Sequence, residues 1–172
     1  MTGVRVERLG PDRHDEVVDG LADVLVDCVA GGASVGFLAG LRHEEARQWW
    51  LRTLEDGHPT WVALDGQGVA GVVRLQPAGQ QDAPHRASVH MVLVHRRARG
   101  RGVAAALLAE LERHAVAMGH WLLVLDTQTG SPAEAVYRRL GWQPAGVVPD
   151  HTLDPRGVPT ATTFFWKDLR QG

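Results

Sequence analysis

Val92-Leu93-Val94-His95-Arg96-Arg97-Ala98-Arg99-Gly100-Arg101-Gly102-Val103-Ala104-Ala105-Ala106-Leu107-Leu108 is the stretch on which the fold turns. Val92-Leu93-Val94 closes an alternating apolar run, the signature of a strand. Downstream, Ala104, Leu107, Leu108, Leu111, Ala115 and Met118 recur at helical spacing on one face. Strand, glycine-rich turn and helix therefore follow one another, and the glycines stand at a helix N-terminus. Unpaired N–H groups and the positive end of the helix dipole point outward there, which makes the junction a place to hold a phosphate. It lacks the Gly-Lys-Ser/Thr ending of a nucleoside triphosphate loop and the third glycine of a dinucleotide fingerprint.

Working outward, Val4 and Val6 alternate with charged residues as a first strand, and a helix is expected from about Pro11 to Val29, stopped by Gly31-Gly32. A second helix is expected from about His43 to Asp56, with Ala46, Trp49, Trp50 and Leu54 inward and Gly57 as its stop. Thr60 to Leu64 and Val69 to Leu75 flank Asp65-Gly66 as a hairpin, and His85 to Val94 leads into the glycine junction. After the long helix come a short apolar strand, Trp121 to Leu125, and a helix opened by the capping box Ser131-Pro132-Ala133-Glu134 and stopped by Gly141. Trp142 to Val148 and Thr160 to Trp166 close the pattern. Pro77 to Pro84 and Asp154 to Gly157 read as floppy inserts. The order predicts an α/β (α+β) fold: an antiparallel meander, then a right-handed crossover between parallel strands.

Composition narrows the function classes. With 172 residues, 44% hydrophobic and 22% charged, residues 1–172 fit one domain with a sizeable core. A formal charge of -2 exerts no global pull on nucleic acid or anionic membrane. Basic function must be local, at Arg96, Arg97, Arg99 and Arg101, and no second basic stripe or interleaved aromatics mark a nucleic-acid track. One cysteine, Cys28, leaves no internal disulfide and reads as a buried small hydrophobe. No apolar stretch approaches the roughly 18 residues of a membrane span and no signal-peptide pattern opens the chain, so a cytoplasmic location is expected. No metal is expected: His85, His90 and His95 alternate faces along one strand, and no His-Glu-x-x-His pattern occurs.

Two motifs carry a family likeness. Arg99-Gly100-Arg101-Gly102-Val103-Ala104, followed by Ala106-Leu107-Leu108, resembles the Arg/Gln-x-x-Gly-x-Gly/Ala acetyl-CoA motif of the GNAT N-acetyltransferases, and Ala135-Val136-Tyr137-Arg138-Arg139-Leu140-Gly141-Trp142 resembles their later Tyr-x-x-x-Gly-Phe element. Within that superfamily, Gly32-Ala33-Ser34-Val35-Gly36-Phe37, Leu125-Asp126-Thr127 with Gly130-Ser131, and Pro159-Thr160-Ala161 to Phe165-Trp166-Lys167 are similar to the tabtoxin resistance protein group. The likeness runs from about Asp27 to Leu169. It implies the GNAT acyl-CoA N-acyltransferase fold, a mixed sheet of about seven strands with four helices, split as a V between two parallel strands.

The resemblance also implies roles. Acetyl-CoA would serve as co-substrate, its pantetheine arm pairing with Val92, Leu93 and Val94 and its pyrophosphate resting on N–H groups of Gly100 to Ala105: Gly100, Arg101, Gly102, Val103, Ala104 and Ala105, with Arg99 opening the motif. The acetyl group would pass directly to an amine, with no acyl-enzyme. Tyr137, the only tyrosine, is the general acid the resemblance implies for the departing thiolate; on spacing alone it reads as a core aromatic with its hydroxyl near the rim. An ammonium must lose a proton before it attacks. Asp126 is one acceptor for it, or else a turn ligand; His90 is the other, sharing a face with Ser88, Val92 and Val94. Gly130 stands where many members carry asparagine, and Arg96 where proline is common. The acceptor implied is a small-molecule amine, a toxin or antibiotic-like metabolite. A homodimer is implied by the family, and an acyl-CoA sensor without turnover is the alternative reading.

Overall fold

A computed structural model describes residues 3–171. The strands are β1 (Arg5–Arg8), β2 (Thr60–Asp65), β3 (Gly68–Pro77), β4 (Arg86–Val94), β5 (Leu122–Gln128), β6 (Gln143–Leu153) and β7 (Pro159–Asp168). The α-helices are α1 (His14–Ala30), α2 (His43–Leu54), α3 (Val103–Ala117) and α4 (Pro132–Arg139). One seven-stranded sheet runs in the order β1-β2-β3-β4-β5-β7-β6. Every neighbouring pair is antiparallel except β4 and β5, which are parallel and joined through α3. Fold class and element order are those the sequence predicts.

Each face of the sheet buries its own core. Val18, Leu21, Leu25 and Trp50 from α1 and α2 pack with Val62, Val72 and Leu93; Leu107, Leu108 and Leu111 of α3 and Tyr137 of α4 pack with Val73, Leu75, Leu123 and Phe165 on the other side. The α3 layer comes unusually close to the sheet at Gly71. A Cβ there would lie 2.8 Å from the Leu93 carbonyl oxygen and 3.1 Å from both Val103 and Leu107, so glycine is what lets the helix seat.

The site is shaped by where β4 and β5 stop pairing. Their parallel register covers only Arg86↔Leu122, Ala87↔Leu123 and Ser88↔Val124. Beyond that the two strands continue apart, leaving a V-shaped opening bounded by Val89–Val94 on one side and Leu125–Gln128 on the other. β5 stays extended past Leu125, where the sequence pattern ended it, because β7 pairs with it through Asp126↔Phe164, Thr127↔Thr163 and Gln128↔Thr162. Asp126 thus sits inside a strand rather than closing one.

A β-bulge lies in the same stretch of β4. Val72 pairs with Leu93 but Arg74 pairs with His90, so three steps on β4 match two on β3, and Met91 takes φ of 53°. The bulge reverses the side-chain alternation. Ala87 and Val89 face the α3 core, and after the bulge Val92 and Val94 face it instead, while Met91 and Leu93 face α1 and α2. His90 keeps the face of Ser88 but does not share one with Val92 and Val94, contrary to the strict period of two.

The two inserts read as floppy are hydrogen-bonded turns. Ala83 is buried and tied by Ala83 N–H to Gln80 and Arg86 N–H to Ala83. Between β6 and β7 the buried Asp154 carboxylate accepts from the backbone N–H groups of Arg156 (2.9 Å) and Val158 (3.0 Å), closing the turn from within.

Candidate active site

Two edges of main chain border the opening. His95 N–H donates to Ala70 on β3, and because peptide groups along a strand turn alternately to either side, Leu93 is committed to the β3 ladder as well. Val92 and Val94 present theirs to the gap. The Val94 carbonyl is met there by the Cys28 thiol (3.5 Å) and the Arg99 side chain (3.3 Å). Burial raises the Cys28 thiol above its ordinary pKa, as expected of a packed, protonated side chain.

At the end of β4 a single 3-10 turn, Arg96–Ala98, delivers the chain to Gly100 and Gly102, which take φ of 73° and 76°. These left-handed positions aim successive amides in one direction. The N–H groups of Gly100, Arg101, Gly102, Val103, Ala104 and Ala105 have no hydrogen-bond partner among the described residues; the first helical bond is Ala106 N–H to Gly102. No side chain caps α3, and a Cβ at Gly100 or Gly102 would meet nothing within 4 Å. A concave row of uncommitted donors at a positive helix end fits a diphosphate.

The arginines around this row are mostly spent on carboxylates that sequence reading left unassigned. Asp65, at the β2–β3 turn, accepts from Arg97 (2.6 Å), Arg101 (3.1 Å) and Gln67 N–H (2.9 Å). Asp27 of α1 accepts from the backbone (2.7 Å) and side chain (2.9 Å) of Arg96. Arg99 is left without a carboxylate partner among the described residues. The hydrogen bond from Arg97 foremost, then that from Gln67, holds the Asp65 carboxyl below its ordinary pKa. A depressed carboxylate contributes stability above the unfolded pKa, about 3.9, and loses it as pH falls through the lower folded value. Asp65→Asn is therefore expected to destabilise the protein by about 1–2 kcal/mol at pH 7. In denaturant titrations across pH, the gap to wild type should close below pH 4; a gap that persists there contradicts the assignment.

Asp126 and His90 flank the opening, and Tyr137 packs in the core on the α3–α4 face of the sheet. Tyr137 is 4% exposed, its ring set 6.1 Å from Trp142 and 6.0 Å from Phe165. Ser131 opens its helix by accepting from Glu134 N–H (3.3 Å), as the capping pattern predicts, although the Glu134 carboxylate reaches the N–H of Gly130 rather than that of Ser131. Burial first, and the Asp126 charge second, push the phenol well above its ordinary pKa, so it holds its proton. Asp126 is exposed, and its carboxylate makes no hydrogen bond or ion pair among the described residues. His90 is level with it across the gap, each two residues past the last parallel pair. Desolvation lowers the His90 pKa, while Asp126 pulls it the other way. One carboxylate is thus felt by both a buried phenol and an imidazole.

On the α1–α2 side, the segment from Gly32 to Leu41 leans on the β6–β7 turn: Ser34 donates to the Leu153 carbonyl (3.0 Å) and Ala39 N–H to that of Pro155 (2.7 Å). Together with Gln128 at the end of β5 they line a cavity open to solvent. Phe37 meets Trp49 edge to face at 5.3 Å, and Trp49 meets Trp50 at 4.9 Å. Trp50 is fully buried, with its indole N–H on the Leu21 carbonyl (3.0 Å), leaving Trp49 half exposed. Among the described residues, no helix is long and apolar enough to cross a membrane and no cluster of His, Cys, Asp and Glu is arranged to hold a metal.

A mixed seven-stranded sheet, a splayed parallel pair and an open amide row on the crossover helix together define an acyltransferase architecture. The acetyltransferase (GNAT) family model matches residues 29–142, well over half of the chain, and the protein belongs to that family. Solved structures agree on the fold. An N-acetyltransferase from Staphylococcus aureus Mu50 superposes with a TM-score of 0.79 at 18% identity, covering 98% of this chain and 99% of that one. A ribosomal-protein-alanine N-acetyltransferase from Brucella melitensis gives 0.77 at 23%, covering 96% and 99%. A GNAT superfamily phosphinothricin acetyltransferase from Sinorhizobium meliloti, solved in complex with acetyl-CoA, gives 0.78 at 20%, covering 98% and 89%.

Proposed function

We propose that this protein transfers the acetyl group of acetyl-CoA directly to the primary amine of a small molecule. The observation that carries the reading is the row of uncommitted amides from Gly100 to Ala105 at the mouth of the β4–β5 opening. Those donors would take the diphosphate, with the main chain of Val92 and Val94 along the pantetheine arm and Leu93 anchoring that edge to β3. Arg99 and Arg101 flank the row; Arg101 acts through its amide, since its guanidinium is engaged by Asp65.

The chain's own groups then divide the proton traffic. Asp126, unpartnered and exposed, draws the acceptor ammonium, and with His90 takes up the proton that frees the nitrogen lone pair. The lone pair forms the N–C bond, and outward-facing amides near Val92 steady the oxyanion. As the C–S bond breaks, the electron pair leaves with sulfur, and Tyr137 supplies the proton that makes it a thiol. Burial keeps the phenol protonated, so the proton is in place when the sulfur departs. The likeness to the tabtoxin resistance group, together with the Sinorhizobium phosphinothricin acetyltransferase among the structural relatives, supports a small toxin or antibiotic-like acceptor.

Free thiol released from acetyl-CoA, measured across a panel of amino acids, polyamines and aminated antibiotics, tests this directly. The expected result is turnover with one amine class and a mass increase of one acetyl group on it. Thermal stabilisation by acetyl-CoA with no thiol release from any amine would instead mark a sensor.

A further inference from the structure

A polar row crosses the sheet on its α1–α2 face, at right angles to the strands. Thr60 pairs with Arg74 and Arg74 pairs with His90, while His90 and Asp126 stand level across the opening. Arg74 is a buried cation in an otherwise apolar strand, 7% exposed. Its guanidinium is clamped: Nε donates to Thr60 Oγ1 at 3.0 Å, and Nη2 to the Thr53 carbonyl at 3.2 Å and Asp56 Oδ1 at 2.6 Å. Asp56 also accepts from His58 N–H (2.8 Å) and faces His58 Nδ1 at 3.1 Å. Burying a cation carries a desolvation cost that an apolar residue at this position would not. Those bonds tie the end of α2 to the sheet and fix the charge one ladder step from His90.

We propose that Arg74 is a positioning residue for acceptor deprotonation: clamped in place and paired across the β3–β4 ladder with His90, it sets a fixed positive charge beside the ring, on the side away from Asp126, and so prepares His90 to receive the ammonium proton. The inference rests on the acetyltransferase reading and assigns His90 its part in it. The charged groups around the ring come from three elements: Asp126 on β5, Arg74 on β3, and His58 between α2 and β2, with Asp56 behind Arg74. Desolvation disfavours the imidazolium most strongly, Asp126 favours it, and Arg74 and His58 oppose Asp126. Burial foremost, with Arg74 and His58 adding to it, opposes the pull of the carboxylate on the ring.

NMR titration of the His90 ring, assigned by the signal lost in His90→Gln, reads this charge balance without relying on turnover. Arg74→Met is expected to move the His90 midpoint upward and the acid limb of kcat/KM upward by the same amount, lowering rates at pH 6. Arg74→Lys keeps the charge and should hold both near wild type, and Asp126→Asn should move the NMR midpoint down. A midpoint identical in Arg74→Met and wild type, or an equal rise in Arg74→Lys, overturns the proposal. If Arg74→Met does not fold, Asp56→Asn serves: it leaves the Arg74 charge less neutralised, so the midpoint must fall, and an unmoved midpoint overturns the idea. A wild type inactive on every amine overturns the acetyltransferase reading and this role with it. An active wild type whose acid limb ignores Arg74→Met overturns this inference alone.

Discussion

Tyr137→Phe is expected to lower kcat by about a hundredfold or more while leaving the Kd for acetyl-CoA unchanged. The substitution removes one oxygen and keeps the ring between Trp142 and Phe165, so the α3–α4 core it belongs to stays filled. What is lost is the proton for the departing sulfur, an interaction made only as the C–S bond breaks. Such a loss appears equally in kcat and kcat/KM and spares ground-state binding. Burial and the Asp126 charge hold the phenol neutral throughout the physiological range, so no alkaline limb from Tyr137 should appear below pH 9. Stopped-flow thiol detection with saturating amine measures kcat, and calorimetry with acetyl-CoA measures Kd. Equal turnover in the two proteins removes Tyr137 from the chemistry and leaves it a core aromatic.

The parts of this site that were legible in the sequence are those written in local pattern. The strand before Val94, the left-handed glycines and the apolar face of α3 are neighbours in the chain, so periodicity and backbone chemistry locate the amide row without tertiary information. Ser131 and Pro132 likewise announce α4, the helix that carries Tyr137. What stayed hidden depends on contacts distant in sequence. The bulge at Met91 carries no glycine or proline signal and arises from how β3 and β4 align, yet it decides which side chains share a face with His90. Asp27 and Asp65 look like ordinary helix and turn acids; only the fold brings them under Arg96, Arg97 and Arg101 and neutralises what reads as an exposed basic cluster. The Arg74–Asp56 pair joins a strand to the end of a helix 18 residues away and has no local signature at all.

Gly102→Val is the sharper test of the amide row, because it separates the backbone's shape from its strain. Gly102 precedes α3 with φ of 76° and open space where a Cβ would stand. Valine meets two penalties there. The left-handed conformation costs a β-branched residue roughly 1–3 kcal/mol, and relaxing that strain turns the Gly102 and Val103 amides out of line. Its side chain would also occupy the volume the phosphates require. Two charge-assisted hydrogen bonds lost at roughly 1.5–3 kcal/mol each weaken acetyl-CoA binding by at least about a hundredfold. Linkage makes this visible without an activity assay: ligand at a hundred times the wild-type Kd stabilises wild type by about 2.7 kcal/mol but a hundredfold weaker binder by only about 0.4 kcal/mol. Gly119→Val supplies the control. Gly119 lies past the opposite end of the same helix, with φ of 83° and nothing within 4 Å of its would-be Cβ. It should lose comparable intrinsic stability and keep the full acetyl-CoA response. If both variants respond alike, the amides at the start of α3 do not hold the diphosphate, and the coenzyme must lie elsewhere on the sheet.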